Sequence, residues 1–128
     1  MAYQNILVPV DGSETSFAAV AKAAELAKAF GSKITVVQVL TLDPYIAAEY
    51  ITANQTNDLI ERARASIVKT LEEAKQKFTE QGVEAETKLL EGQVIAREIT
   101  NAAKDLNADL IVIGSHGRTG LKKLFLGS

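Results

Sequence analysis

The most chemically informative stretch of the sequence is its last fifteen residues, from Gly114 to Ser128. A short apolar run ends at Ile113 and leads into this stretch, which carries glycines at 114, 117, 120 and 127, an arginine at 118 and a terminal Gly-Ser pair. Glycine lets the main chain approach a ligand closely, and successive N–H groups in such a loop form a concave site for an anion. The stretch therefore indicates a loop that can bind an anion.

A second glycine-bearing turn, Asp11-Gly-Ser, follows an apolar segment that contains Ile-Leu-Val-Pro-Val. Pro9 donates no ladder hydrogen bond, so it is expected near the end of a strand. In open α/β sheets, ligands bind outside the carboxyl ends of the strands, where the strand order reverses. If the first and fourth strands are neighbours, the two loops meet at one crevice, although the sequence alone does not establish that pairing.

The elements that must position these loops alternate between strand and helix patterns. Helices are predicted from about Ser13 to Phe30, along a face from Ile60 to Phe78, and from Ile95 to Leu106; strands are predicted at 3–10, 33–40, 83–89 and 109–113. This alternation predicts an α/β fold with an open parallel sheet, right-handed crossovers and helices on both faces. Residues 41–56 are left unassigned.

Several local signals refine this outline. Ser13 is a good N-cap and Gly31 a good C-cap for the first helix, and Asn107 can adopt the left-handed conformation after the third helix. Apolar and charged residues alternate over 83–89, which predicts an edge strand with one solvated face. The run 109–113 has no polar residue after Asp109, which predicts a central strand that is covered on both faces.

Composition narrows the function classes. A chain of 128 residues with 47% hydrophobic content predicts a single globular domain, 1–128. The net charge of −2 gives no reason to expect a nucleic-acid partner, and the absence of cysteine excludes disulfides and thiolate chemistry. No apolar stretch is long enough for a membrane span, and the N-terminus lacks a secretory pattern. A cytoplasmic location is therefore expected by default.

The spacing Gly114-x2-Gly117-x9-Gly127-Ser128 resembles the nucleotide-binding motif of the universal stress protein family, in its ATP-binding branch. The resemblance covers the whole chain and implies a Rossmann-like sheet with strand order 3-2-1-4-5 and ATP as the ligand, with Mg²⁺ left open. It also implies the positions of the binding residues. Pro9, Val10 and Val39 would line the adenine pocket, Asp11 would lie near the ribose or a phosphate-bound metal, and Gly114, Gly117, Arg118, Gly127 and Ser128 would hold the phosphates and ribose.

Each of these residues also has a purely structural interpretation. Asp11 before Gly-Ser suits a turn or a helix cap, Gly114 and Gly117 suit tight turns, and Arg118 suits a solvated loop. His116 is the only histidine, and a lone histidine without a carboxylate or cysteine cluster is a poor metal ligand. No metal site and no catalytic residue are therefore predicted.

The expected function is nucleotide binding in a stress-response or signalling role, with weak hydrolysis or none. The chain has neither the Gly-x4-Gly-Lys-Ser/Thr motif of P-loop NTPases nor a Gly-x-Gly-x-x-Gly motif after its first strand. The expected partners are an adenine nucleotide and an unidentified protein. The alternative is an interaction module that dimerises without any nucleotide.

The family pattern continues beyond the Gly-Ser pair with a helix and a fifth strand, whereas this sequence stops at Ser128. A truncated chain or an incomplete record is therefore expected, with strand order 3-2-1-4 and no usual fifth strand. The fourth strand would then have an unpaired apolar edge, which invites association. A homodimer is expected, through that edge or through the 41–56 segment.

Overall fold

The structure is a computed structural model that describes residues 3–41, 53–114 and 123–126. These residues form five strands and three helices. In chain order they are β1 (Asn5–Pro9), α1 (Glu14–Phe30), β2 (Lys33–Leu40), α2 (Ala53–Glu80), β3 (Ala85–Glu91), α3 (Ile95–Asp105), β4 (Leu110–Ile113) and β5 (Lys123–Leu126).

The strands form one sheet in the order β3-β2-β1-β4-β5. The first four of these pair in parallel: Pro9 is in register with Val37 of β2, and Leu7 with Ile111 of β4. The predicted parallel order 3-2-1-4 is therefore confirmed. β1 and β4 are neighbours, so the turn that begins at Asp11 and the chain that follows Ile113 leave the sheet side by side.

The outer edge of β4 differs from the sequence-based expectation. β5 pairs with β4 in antiparallel orientation, with Ile111 opposite Phe125 and Ile113 opposite Lys123. The prediction that β4 has an unpaired edge is therefore wrong. No strand is predicted here, because residues 123–126 are a short run between Gly120 and Gly127 in the stretch that is predicted to be the phosphate loop.

Both ends of the first helix and the C-terminal end of the second follow the sequence signals. Ser13 has extended backbone and its side chain accepts a hydrogen bond from the Ser16 N–H, while Gly31 closes α1 in the left-handed conformation. α2 begins at Ala53, earlier than its apolar face indicated, and Gly82 follows it with φ +77°. Residues 42–52, most of the unassigned segment, lie outside the described residues.

The predicted turn at Asn107 is confirmed by its φ of +54°. β3 begins and ends two residues later than predicted, at Ala85 and Glu91, and it lies at the sheet edge as expected. Among the described helices, none has both the length and the apolar character that a membrane crossing needs.

The two faces of the sheet are covered unequally. α1 and α2 cover one face with a large cluster that includes Ile6, Val36 and Phe78. On the other face α3 covers a smaller cluster built around Leu7, Val37 and Ala102. Burying alternate side chains on each face is what a sheet between two helical layers requires, but here one layer contains a single described helix.

β4 shows the effect of this imbalance. Leu110 and Val112 are buried, whereas Ile111 and Ile113 are only half-buried. The prediction that the 109–113 run is covered on both faces is therefore wrong for one face. An apolar run shows that a strand is central, but it does not show how much helix packs on either side.

Asp109 fixes the start of the β1–β4 pair. Its Oδ2 accepts hydrogen bonds from the main-chain N–H groups of Gln4, at 2.8 Å, and Asn5, at 2.9 Å. Its own N–H donates to the Asn5 carbonyl at 2.8 Å. The two main-chain donors, Asn5 first and then Gln4, hold the pKa of Asp109 below its ordinary value.

Candidate functional site

A cavity of about 170 Å³ opens at the carboxyl ends of β1, β2 and β4. Its lining comes from these three strand ends, from the first turn of α1 and from the start of α3. The lining residues are Pro9, Val10, Asp11, Ser16, Gln38, Val39, Ile95, Ile99, Ile113 and Gly114. This is the position at which open α/β sheets bind their ligands.

The structure brings five of the predicted site residues to this cavity: Pro9, Val10, Asp11, Val39 and Gly114. The parallel register explains how. Val10 lies just past the end of β1 and donates its N–H to the Val37 carbonyl at 2.8 Å, which holds the end of β1 against β2 near Val39. The predicted residues Gly117, Arg118, Gly127 and Ser128 lie outside the described residues, as does His116.

Asp11 has a structural role that is visible in its hydrogen bonds. Its Oδ1 accepts from the Ser13 N–H at 2.9 Å and from the Ser13 hydroxyl at 2.5 Å. The Ser13 Oγ in turn accepts from the Ser16 N–H at 3.2 Å and caps α1. A carboxylate that bonds the main chain two residues later makes an Asx-turn. Asp11 is nevertheless exposed and lines the cavity, so capping and ligand contact are compatible.

Gly12 and Gly114 are glycines for different reasons. Gly12 has φ +86°, which side chains of L residues rarely adopt. Gly114 has no such conformation, but a Cβ there would lie 2.2 Å from the Thr15 carbonyl oxygen and 3.0 Å from the Ser16 main-chain nitrogen. The chain after β4 therefore packs directly on the first turn of α1. This close approach explains Gly114 without a ligand.

Five lining residues were not predicted as part of the site: Ser16, Gln38, Ile95, Ile99 and Ile113. In the sequence, Ile95 and Ile99 belong to the apolar spacing that predicts the third helix. In the structure Ile95 is 52% exposed and its neighbour Val94 is 48% exposed. The only signal in the sequence that separates Ile95 and Ile99 from ordinary core residues is their position in the first turns of the helix.

The electrostatics of the described part of the cavity are simple. Asp11 is the only ionisable group among the ten lining residues, and six of them have apolar side chains. Apolar walls with a few polar groups suit a flat organic ring and a hydroxyl-bearing group. Among the described residues, no three acidic or histidine side chains come together as a metal site would require. Asp11 is the one lining residue that offers carboxylate oxygens, the ligand type that hard cations such as Mg²⁺ prefer.

A larger cavity of about 530 Å³ lies at the opposite end of the sheet. It is lined by two lysines, two glutamates and the turn at Gly82, among other residues. We assign the candidate site to the smaller cavity because it lies at the carboxyl ends of the strands, at the reversal of strand order.

Comparison with known proteins identifies the family. The profile of the universal stress protein family matches residues 2–128. Universal stress protein MJ0531 of Methanocaldococcus jannaschii is 35% identical over 127 residues, which cover 98% of this chain and 72% of that protein. The chain therefore belongs to the universal stress protein family.

Solved structures agree with this assignment. A universal stress protein family member from Burkholderia pseudomallei superimposes with a TM-score of 0.77 at 29% identity, over 90% of this chain and 83% of that one. The universal stress protein of Archaeoglobus fulgidus, solved in complex with dAMP, has a TM-score of 0.64 at 28% identity, over 89% and 82% of the two chains.

Proposed function

We propose that this protein binds an adenine nucleotide, ATP in particular, in the cavity at the carboxyl ends of β1, β2 and β4. The observation that carries the proposal is the convergence of five predicted binding residues on that cavity: Pro9, Val10, Asp11, Val39 and Gly114. The dAMP complex of the Archaeoglobus fulgidus protein supports an adenine nucleotide as the ligand class.

In this proposal the apolar walls hold the base, and Asp11 accepts a hydrogen bond from a ribose hydroxyl or binds a phosphate-bound Mg²⁺. Val39 and Ile99 come from different elements, so they can contact a flat ring from separate sides. Gly117, Arg118, Gly127 and Ser128 would hold the phosphates. The Ser13 hydroxyl already donates to Asp11 and caps α1, so we assign it no nucleophilic role.

The biological role proposed with this site is stress response or signalling, with weak ATP hydrolysis or none. Loading with nucleotide would change the affinity for a protein partner, and the chain would associate as a homodimer. The cytoplasmic location and the single-domain organisation stay predictions from the sequence.

The second candidate is an interaction module that needs no nucleotide. The exposed Val94 and Ile95 favour it, because a protein partner would cover such neighbouring apolar side chains as well as a ligand would. The two candidates differ in one measurement, the direct titration of the protein with ATP.

Calorimetric titration with ATP, with GTP as the control ligand, tests the proposal. ATP should bind with a measurable enthalpy and GTP more weakly. The Asp11→Ala variant should lose about 1–3 kcal/mol of ATP binding free energy, because a hydrogen-bond partner of a charged group is removed. It should also lose about 1 kcal/mol of folding stability, because the turn that supports the α1 cap is lost.

Asp105→Ala is the matched control, since Asp105 is an exposed carboxylate at the far end of α3. It should bind ATP like the wild type. If Asp11→Ala lowers stability but leaves ATP affinity unchanged, Asp11 is only a capping residue. If neither nucleotide binds the wild-type protein, the interaction module is the better description.

A further inference from the structure

Ser16 is the one polar residue that α1 buries. The helix buries six residues, and the other five are four alanines and a valine. Ser16 is 3% exposed and lines the cavity at the carboxyl ends of β1, β2 and β4. Because burying a hydroxyl costs stability unless it is hydrogen-bonded, the hydrogen bonds of Ser16 decide what it offers to a ligand.

The hydrogen of the Ser16 hydroxyl is already used. Ser16 Oγ donates it to the Ser13 carbonyl oxygen at 2.9 Å. A serine hydroxyl has one hydrogen to donate and two lone pairs that accept. Toward any further partner, Ser16 Oγ is therefore a hydrogen-bond acceptor.

The main-chain donors beside this hydroxyl are used as well. The Ser16 N–H donates to Ser13 Oγ at 3.2 Å, and the Phe17 N–H donates to the Ser13 carbonyl at 3.1 Å. Asp11 bonds the same Ser13, and a carboxylate only accepts. The start of α1 thus presents Asp11 and Ser16 to the cavity as two acceptors that are anchored on one residue.

This polarity favours one part of a nucleotide. Phosphate oxygens accept hydrogen bonds, so they gain nothing from a hydroxyl whose hydrogen is used, and the Asp11 carboxylate repels them. The two ribose hydroxyls, by contrast, are donors on neighbouring carbon atoms and can donate to two acceptors at once. The sugar therefore suits the first turn of α1 better than the phosphates do.

Gly114 brings the chain after β4 to the same place. A Cβ at Gly114 would lie 3.0 Å from the Ser16 main-chain nitrogen, and both residues line the cavity. Asp11 and Gly114 are both among the residues predicted to lie near the ribose. Ser16 is adjacent to both of them, through Ser13 in one case and through main-chain packing in the other.

We propose that Ser16 accepts a hydrogen bond from a ribose hydroxyl of the bound nucleotide, and so makes the site prefer ribonucleotides to deoxyribonucleotides. In this arrangement Asp11 accepts from the neighbouring hydroxyl. The inference rests on the adenine nucleotide site proposed above and names the part of the ligand that Ser16 recognises.

Calorimetric titration with ATP, 2′-deoxyATP and 3′-deoxyATP tests the inference. The wild type should bind at least one deoxy ligand roughly three- to tenfold more weakly than ATP, which is the effect of one hydrogen bond. Ser16→Ala should bind ATP more weakly by a similar factor. It should bind that deoxy ligand as tightly as the wild type does, because the deoxy ligand has no hydrogen bond to lose.

Thr79→Ala is the matched control. Thr79 also donates its hydroxyl to a main-chain carbonyl, that of Lys75 at 3.0 Å, but it lies at the opposite end of the sheet. Its removal should leave all three affinities unchanged. Ser16→Cys is the second variant if the alanine variant does not fold. A thiol is close to a hydroxyl in size but accepts only weakly, so the same selective loss is expected.

The outcomes are distinct. A loss of ATP affinity that disappears with one deoxy ligand supports the inference. Equal losses for all three ligands would mean that Ser16 supports the helix start or binds a metal on the phosphates, and unchanged affinities would mean that it contacts no ligand. Either result overturns the inference while the nucleotide site stands. A wild type that binds none of the three ligands overturns the proposed function as well.

Discussion

Replacing Gly114 with alanine should destabilise the protein far more than a single methyl group ordinarily does. The new Cβ would lie 2.2 Å from the Thr15 carbonyl oxygen and 2.5 Å from the Thr15 carbonyl carbon. Both neighbours are main-chain atoms in the first turn of α1, so no side-chain rotation can relieve the contact. The end of β4 and the start of α1 must move apart by roughly 1 Å before ordinary van der Waals contact is restored.

The cost follows from what such a movement disturbs. Overpacking of a well-packed interior costs about 1–3 kcal/mol, and the upper end applies because both partners are backbone. For a chain of this length, a loss of about 3 kcal/mol lowers the melting temperature by roughly 10 °C. Gly114 also lines the cavity with Ser16, so ATP affinity should fall as well.

Chemical denaturation of the nucleotide-free protein is the direct assay, and Gly92→Ala is the matched control. A Cβ at Gly92 would lie 2.3 Å from the Glu98 carboxyl group, nearly as close. That group ends a flexible side chain, which can rotate away, so we expect a change within about 0.5 kcal/mol. If Gly114→Ala were as stable as Gly92→Ala, the close packing of β4 on α1 would not explain Gly114.

Two further predictions concern the predicted phosphate loop and Asp109, whose carboxylate bonds the main chain at the start of β1. Gly117→Val should weaken ATP binding while the circular dichroism spectrum stays native, because a branched side chain would stand where the main chain approaches phosphate; unchanged affinity would remove the loop from the site. Asp109 has a lowered pKa in the folded protein, so its stabilisation is present above the unfolded pKa and is lost as pH falls through the folded one. Asp109→Asn should therefore lose less stability than the wild type as the pH falls below the ordinary pKa of an aspartate, and equal acid sensitivity would contradict this role.

Local signals predicted the elements well because the physics behind them is local. Ser13, Gly31 and Asn107 each take the role that their side chains or backbone freedom favour. The strand order came from the family resemblance and is confirmed. Pairing between strands far apart in sequence leaves no periodic trace, so the residues alone could not have supplied it.

The misses have a shared cause, since each depends on how distant segments pack. Which strand pairs with β4, and how much of Ile111 a helix covers, both depend on segments that are distant in sequence. Helical periodicity marks Ile95 and Ile99 as apolar-face residues, but it does not show that this end of the helix overhangs a cavity. The close packing of Gly114 on Thr15 is likewise invisible before the chain is folded, whereas the contact of Gly114 with a ligand stays a prediction.

The unequal covering of the sheet gives its two helical layers different resistance to local opening. α1 buries six residues, whereas α3 buries only Ala102, and its N-cap residue Val94 makes no side-chain cap hydrogen bond. Few buried contacts mean a low free energy for detaching that segment while the rest stays folded. Because Ile95 and Ile99 line the cavity, a bound ligand would contact α3 and raise the free energy needed to detach it from the sheet. A ligand in the cavity would then lengthen the time for which α3 stays packed on the sheet. This change would be detectable at the protein surface without any rearrangement of the strands.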